Sequence, residues 1–239
     1  SKMESLAYIF FYITPYIAVA VFLGGLAYRV YTWQQRSLVP AKLNMFPQAQ
    51  SRLGKWGDAL LDMFTLKGLW KVNKPLWFGG FLMHLGLLLL LAGHVRTVTD
   101  YYFLWDLLNF GKEQQSQVSH IGGTIAGILF MLPLFYLLAR RFSGAVKWLS
   151  TPEDYLLLFL LIGIAITGNH MRFLIEVNAE QLREFLQGLF VFRQAPMPVS
   201  AGTSFVYHFV FVQILMVYFP FSKLSHTIGT ILSKMVVRT

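Results

Sequence analysis

The sequence predicts an all-α integral membrane protein, a five-helix transmembrane bundle with its N-terminus outside and its C-terminus inside. Three observations carry this. Charged residues make up only 13% of the 239 residues and apolar ones 56%, where a soluble domain carries about 25% charged residues. The apolar residues fall into five stretches, each long enough for the ~20 residues that a bilayer core requires. Lysine and arginine collect between alternate stretches, the asymmetry that orients membrane proteins. The whole chain, 1–239, reads as one membrane domain.

The first span covers about 6–28, LAYIFFYITPYIAVAVFLGGLAY. Pro15 is a candidate bend, tolerated in a membrane when neighbours satisfy the freed carbonyl. A signal peptide would have a shorter apolar core of about 7–15 residues behind a basic head, so the stretch reads as an anchor. Residues 29–74 form a basic loop. In it Leu53, Trp56, Leu60, Leu61, Met63 and Phe64 recur at helical spacing beside Lys55, Asp58 and Lys67. That pattern predicts an amphipathic helix at the membrane surface, a surface that also suits docking of a partner subunit.

The second span, about 75–97, ends at Arg96 and is followed by Tyr101, Tyr102, Phe103 and Trp105, an interfacial aromatic belt. The third covers about 118–138 and is closed by Arg140 and Arg141; the fourth covers about 155–173. The connection after it carries Leu182, Phe185, Leu186, Leu189 and Phe190 at the spacing of a second surface helix. The fifth span is read over about 203–236. With the N-terminus outside, segments 29–74, 139–154 and 223–239 lie inside and hold 14 Lys/Arg against 4 Asp/Glu. The outer segments hold 6 and 7. The net charge of +9 therefore reports orientation, not nucleic-acid binding. The chain has no cysteine, which excludes a c-type haem attachment, a cysteine-ligated iron–sulfur cluster and a disulfide within it.

Ionisable side chains inside spans are rare and usually functional. Here span two carries His84 and His94, and span five carries His208 and His226. The two spans run antiparallel, so His94 meets His208 near the outer face and His84 meets His226 towards the inner face. On a continuous helix the 18 residues between His208 and His226 make five full turns, which puts both on one side. The 10 residues between His84 and His94 leave those two about 80° apart. The corresponding rises, about 15 Å and about 27 Å, differ, and tilt or a bend at Pro220 must absorb the difference. Two histidines that far apart on one helix cannot join a single compact metal centre, whereas two separate bis-histidine sites suit two b-type haems. Gly79, Gly80, Gly86 and Gly93 would let a macrocycle approach span two; ordinary helix packing is their alternative role.

His120 and His170 fall near the outer ends of spans three and four. Each reads first as an interfacial histidine bonded to water or loop carbonyls, with a third ligand pair or a quinone pocket as the alternatives. Arg96 and Arg172, each two residues after a histidine, are candidate partners for haem propionates, as is Lys223 at the other side, where plain snorkelling is the alternative.

These features resemble those of the NarI-like dihaem cytochrome b family, named for the gamma subunit of respiratory nitrate reductase. The resemblance rests on PYIAVAVFLGG at 15–25, the two histidine spacings and PFSKLSH at 220–226, and it covers all five spans. The long basic loop and TGNHMRF at 167–173 look more like the DsrM type, the cytochrome b subunit of a membrane complex linked to dissimilatory sulfite reduction. The resemblance implies haem b ligation by His94 with His208 (outer iron) and His84 with His226 (inner iron). It also implies oxidation of a quinol, read as menaquinol, near the outer haem, with electrons passed inward to a cytoplasmic iron–sulfur subunit. Lys112 lies in the loop where the nitrate reductase subunit has a quinol-associated lysine. The expectation is thus an electron-transfer subunit of a quinol-linked respiratory oxidoreductase, multi-pass in the inner (cytoplasmic) membrane, in contact with lipid and with other membrane or outer-face subunits. The competing readings are a proton or ion transporter that uses membrane histidines as a relay, and a structural anchor. A relay would favour acidic groups in mid-span, and none of the five stretches has one.

Overall fold

A computed structural model describes residues 7–35, 57, 61, 65–175, 177–198, 200, 202–225 and 229, and no strand occurs among them. Five helices are long and apolar enough to cross a membrane: Ile9–Trp33, Lys74–Val95, Lys112–Arg141, Pro152–Leu174 and Gly202–Phe221. The protein is a multi-pass, all-helical membrane protein. The regular helices are α1 (Thr14–Gln35), α2 (Lys67–Val72), α3 (Lys74–Val95), α4 (Tyr102–Leu108), α5 (Lys112–Arg141), α6 (Gly144–Leu149), α7 (Pro152–Leu174), α8 (Ala179–Phe190) and α9 (Gly202–Tyr218).

Contacts group the chain into two compact units, 1–14 with 82–212 and 15–81 with 213–239. In the first, α5 and α7 supply the core through Phe130, Leu134, Ile162 and Ala165, with Met83, Leu87 and Leu90 of α3 against them. Glycine sets the spacing. A Cβ on Gly86 would lie 2.5 Å from the Phe130 nitrogen and 2.7 Å from the Leu129 carbonyl carbon, so only glycine lets these backbones meet. Gly86 therefore serves helix packing, the alternative role given to it above. Gly93, by contrast, has nothing within 4 Å of its Cβ position. Helix α7 starts on a capping box: the Thr151 backbone N–H donates to Asp154 Oδ2 at 2.9 Å, and Pro152 stands where its missing donor costs nothing.

The expected surface helix after span four is α8. Its apolar face is docked: Phe185 is fully buried among Phe11, Tyr12, Phe205 and Phe209, with ring centroids 5.8–6.3 Å away. The aromatic run after span two folds as α4, burying Trp105 and exposing Tyr102, Phe103 and Leu107. Between α3 and α4, Asp100 acts as a hub. It accepts Arg96 Nε at 2.9 Å and Nη2 at 3.1 Å, the Trp105 indole at 2.7 Å and the Tyr101 amide at 2.8 Å. Arg183 of α8 approaches it at 3.5 Å and donates to the Arg96 carbonyl at 3.0 Å.

Burial alone would raise the Asp100 carboxyl, but the hydrogen bonds from Arg96, Trp105 and Tyr101 outweigh it and hold the group down at about 2. A depressed folded-state value stabilises the fold above the unfolded carboxylate range near pH 4, and that contribution is lost as pH falls through about 2. The shift corresponds to ~2 kcal/mol. Asp100→Asn is expected to lower the unfolding temperature of the detergent-solubilised protein at pH 7 and to flatten the acid limb between pH 4 and 2. Both are read by a thermal melt at each pH.

In the second unit, Gly25 of α1 faces Pro220, whose ring would lie 2.7 Å from a Cβ there, and Arg29 Nε donates to the Pro220 carbonyl at 2.7 Å. Phe22 meets Phe219 edge to face. Trp77 donates to the Thr65 carbonyl at 2.6 Å and packs on Trp70 and Phe81.

Three expectations change. Pro15 does not simply bend span one; a π turn over Ile9–Ile13 precedes it, with the Thr14 N–H donating to the Ile9 carbonyl. Span three begins at Lys112, not near 118, because Gly111 in extended conformation starts the helix there. Span five is not one helix over 203–236. The α-helix ends at Tyr218 and short 3₁₀ turns follow at Phe219–Phe221 and Lys223–Ser225, with Ser222 extended between them. Pro220 lacks the amide and clashes with a continuing helix. The five-turn argument that put His208 and His226 on one side thus fails. His226 and most of the amphipathic stretch read over 53–64 lie outside the described residues.

Candidate functional site

His94 sits in the last turn of α3 and His208 in the second turn of α9. Their rings lie 6.2 Å apart between centroids and are near parallel, at 12°. Each ring is tied to the backbone through Nδ1. His94 Nδ1 is 2.6 Å from the Leu90 carbonyl, one turn back on its own helix. His208 Nδ1 is 3.0 Å from the Ile164 carbonyl of α7. A carbonyl only accepts, so both Nδ1 atoms carry a proton, which in the neutral ring leaves the lone pair on Nε2. That is how metal-bound imidazoles are usually held, with the far N–H on a carbonyl.

The spacing fits a metal between the rings. A metal sits about 2 Å from an imidazole nitrogen, and that nitrogen about 1.1 Å from its ring centre, so two coaxial ligands need centroids about 6.3 Å apart. No group of three or more His, Cys, Asp or Glu side chains able to hold a metal occurs among the described residues. The described donors are the two imidazoles, a set that suits a haem iron already held by its macrocycle.

The TGNHMRF stretch lies against His208, which its composition alone did not reveal. Thr167 Oγ1 is 3.1 Å from His208 Nδ1, and a Cβ on Gly168 would lie 3.2 Å from His208 Cε1. Asn169, buried on the opposite side of α7, donates to the Gly127 carbonyl at 3.3 Å. His170 Nδ1 is 2.9 Å from Ser204 Oγ, one turn before His208 on α9. The Arg172 guanidinium lies directly on Gly123 of α5, where any side chain would displace it. One stretch thus holds α9 on one face and α5 on the other.

The remaining candidates are spread more widely. His120 is exposed on α5, one turn before Gly123, and Lys112 is exposed in the first turn of the same helix. His84 is half-buried on α3. Arg96 is committed to Asp100 in a two-pronged ion pair, whereas Arg172 makes no ion pair among the described residues. Sequence reasoning missed Asp100, Thr167, Asn169 and Ser204. Only the four-residue step from Arg96 to Asp100, a standard helix-type ion-pair spacing, carried a signal.

The profile of the nitrate reductase gamma subunit family matches residues 70–238. The chain is 31% identical to the Hdr-like menaquinol oxidoreductase cytochrome b-like subunit of Archaeoglobus fulgidus, over 94% of this chain and 78% of that protein. The subunit of the same description from Archaeoglobus profundus is 27% identical, over 95% and 77%. The respiratory nitrate reductase 1 gamma chain of Escherichia coli is 26% identical, over 94% and 91%.

Proposed function

Since the chain belongs to the nitrate reductase gamma subunit family, we propose that it is the membrane cytochrome b subunit of a quinol-linked respiratory complex. In this reading it binds two b-type haems, oxidises a quinol near the outer face, and passes electrons inward to a cytoplasmic iron–sulfur subunit. The His94–His208 pair carries the reading: near-parallel rings at ligation spacing, each with its Nδ1–H on a backbone carbonyl. His84 with His226 is the inner pair. When bound, haem supplies one-electron carriers that separate quinol oxidation from reduction of the partner. The relatives described as menaquinol oxidoreductase subunits support menaquinol as the substrate class. Their likeness also accords with the departures from the nitrate reductase subunit seen in the basic loop and TGNHMRF.

The residues of the chain itself hold and orient. His94 and His208 present Nε2 lone pairs, and Arg172, which makes no ion pair among the described residues, is the stronger candidate to meet an anionic propionate. Arg96, held by Asp100, is a weaker candidate for that task. His120, His170 and Lys112 are the groups proposed to bind quinol oxygens, with the two imidazoles as the proton acceptors. With the N-terminus outside and the C-terminus inside, as the basic-residue bias indicates, those protons leave on the outer side. The whole chain acts as one membrane domain in the cytoplasmic membrane. A histidine relay for protons fits less well, because none of the five apolar stretches carries a mid-span carboxylate to pass protons on.

Pyridine haemochrome analysis of the intact purified complex is expected to give about two b-type haems per chain, with α-band absorption on addition of a menaquinol analogue. Less than one haem per chain would overturn the reading. Reporter fusions at Lys147 are expected to report the cytoplasmic side; an outer location would reverse the orientation and exchange the two haem sites.

A further inference from the structure

We infer that Thr167 is a positioning residue for His208, setting the direction of its ring and the donor strength of its Nε2. This rests on the reading of His208 as a haem ligand. The His208 N–H faces two acceptors, the Ile164 carbonyl at 3.0 Å and Thr167 Oγ1 at 3.1 Å. The Thr167 hydroxyl has one hydrogen, and the Gly163 carbonyl at 2.8 Å and the Ile164 carbonyl at 3.1 Å are there to take it. Its lone pair is therefore what it turns to His208. Two acceptors on Nδ1–H draw the proton away and make Nε2 a stronger donor to a ferric metal, which lowers the reduction potential of that metal.

The two histidines are held unequally. Among the described residues the polar partner of the His94 ring is the Leu90 carbonyl, which no substitution at a side chain can remove. His208 has a backbone acceptor and a side-chain acceptor, so Thr167 is the replaceable part. Gly168 completes the seat: a Cβ there would press on Cε1 at 3.2 Å, so the ring rests on a bare stretch of α7 and its direction is left to the hydrogen bonds. Helix preference does not account for threonine at 167, because a β-branched hydroxyl residue is neutral to unfavourable in mid-helix.

The test is redox titration of the full-length chain in its complex, followed in the α-band and by electron paramagnetic resonance of the low-spin ferric haems. Thr167→Val is expected to keep haem content, move the potential of one haem component to a more positive value, and alter the g-values of that component alone. Thr167→Ser is expected to restore both. A Thr167→Val complex with full haem content and unchanged potentials and g-values overturns the role of Thr167 and leaves the ligand reading standing. His208→Ala that retains both haem components overturns the ligand reading and this inference with it. If the valine variant loses haem, Thr167→Ala and Thr167→Ser decide: a shift in alanine with wild-type behaviour in serine supports positioning, and equal shifts in both overturn it.

Discussion

His208→Ala is expected to lower haem content from about two per chain to about one, and His94→Ala to remove the same spectral component. His84→Ala and His226→Ala are expected to remove the other. Both losses at the first site follow from geometry: with rings 6.2 Å apart, neither imidazole can hold a bis-histidine haem without the other. Truncating His208 also removes the N–H that the Ile164 carbonyl and the Thr167 hydroxyl share, so some loosening between α7 and α9 is expected on top of haem loss. His208→Met separates the two effects, since a thioether can ligate iron and fill the space without restoring the N–H bond. If His84→Ala and His208→Ala remove the same component, the pairing is wrong.

Gly86→Val is expected to be the most damaging substitution outside the histidines. Even an alanine puts a carbon 2.5 Å from the Phe130 nitrogen and 3.0 Å from its Cα, atoms that cannot rotate away. The helices must separate, and overpacking of this kind costs about 1–3 kcal/mol for small additions, more for a branched side chain. Because α3 carries both His84 and His94, separation at Gly86 also moves the site. A thermal melt of the solubilised complex is expected to fall by several degrees for Gly86→Ala and to become unmeasurable for Gly86→Val. Gly93→Ala is the control. Its Cβ meets nothing in the protein, so the melt of the apoprotein is expected to stay put, and any loss confined to haem content would mark the macrocycle's edge at that position.

The five spans were legible because the signal is one-dimensional: length, hydropathy and the placement of lysine and arginine. The approach of His94 to His208 was legible for a related reason, since antiparallel order alone brings those two ends together. The end of α9 at Tyr218 was not. Phe219, Pro220 and Phe221 are as apolar as the helix before them, so hydropathy runs on through a break that only the missing proline amide creates. Asp100 was passed over because a single carboxylate in a loop reads as solvated; its partners come from α4 and α8, about 5 and 83 positions away. Gly86 and Gly93 look alike in sequence, yet one is pressed against a neighbouring backbone and the other meets open space. Thr167 and Asn169 look like incidental polar residues in an apolar run until α9 and α5 are in place on either side.

The break after Tyr218 also fixes how thick a bilayer this protein suits. Seventeen α-helical residues, Gly202–Tyr218, rise about 26 Å, short of the ~30 Å hydrocarbon core. The 3₁₀ turn at Phe219–Phe221 advances about 2 Å per residue, faster than an α-turn, and brings the apolar length to about 32 Å. Over its described residues the fifth span therefore matches an ordinary bilayer with almost no surplus length to take up by tilting. Longer spans such as Lys112–Arg141 can lean when the membrane thins and straighten when it thickens; this one has little tilt to give up. A thicker bilayer is thus expected to thin locally around this span, or to draw its flanking side chains toward the interface, before the helix itself gives.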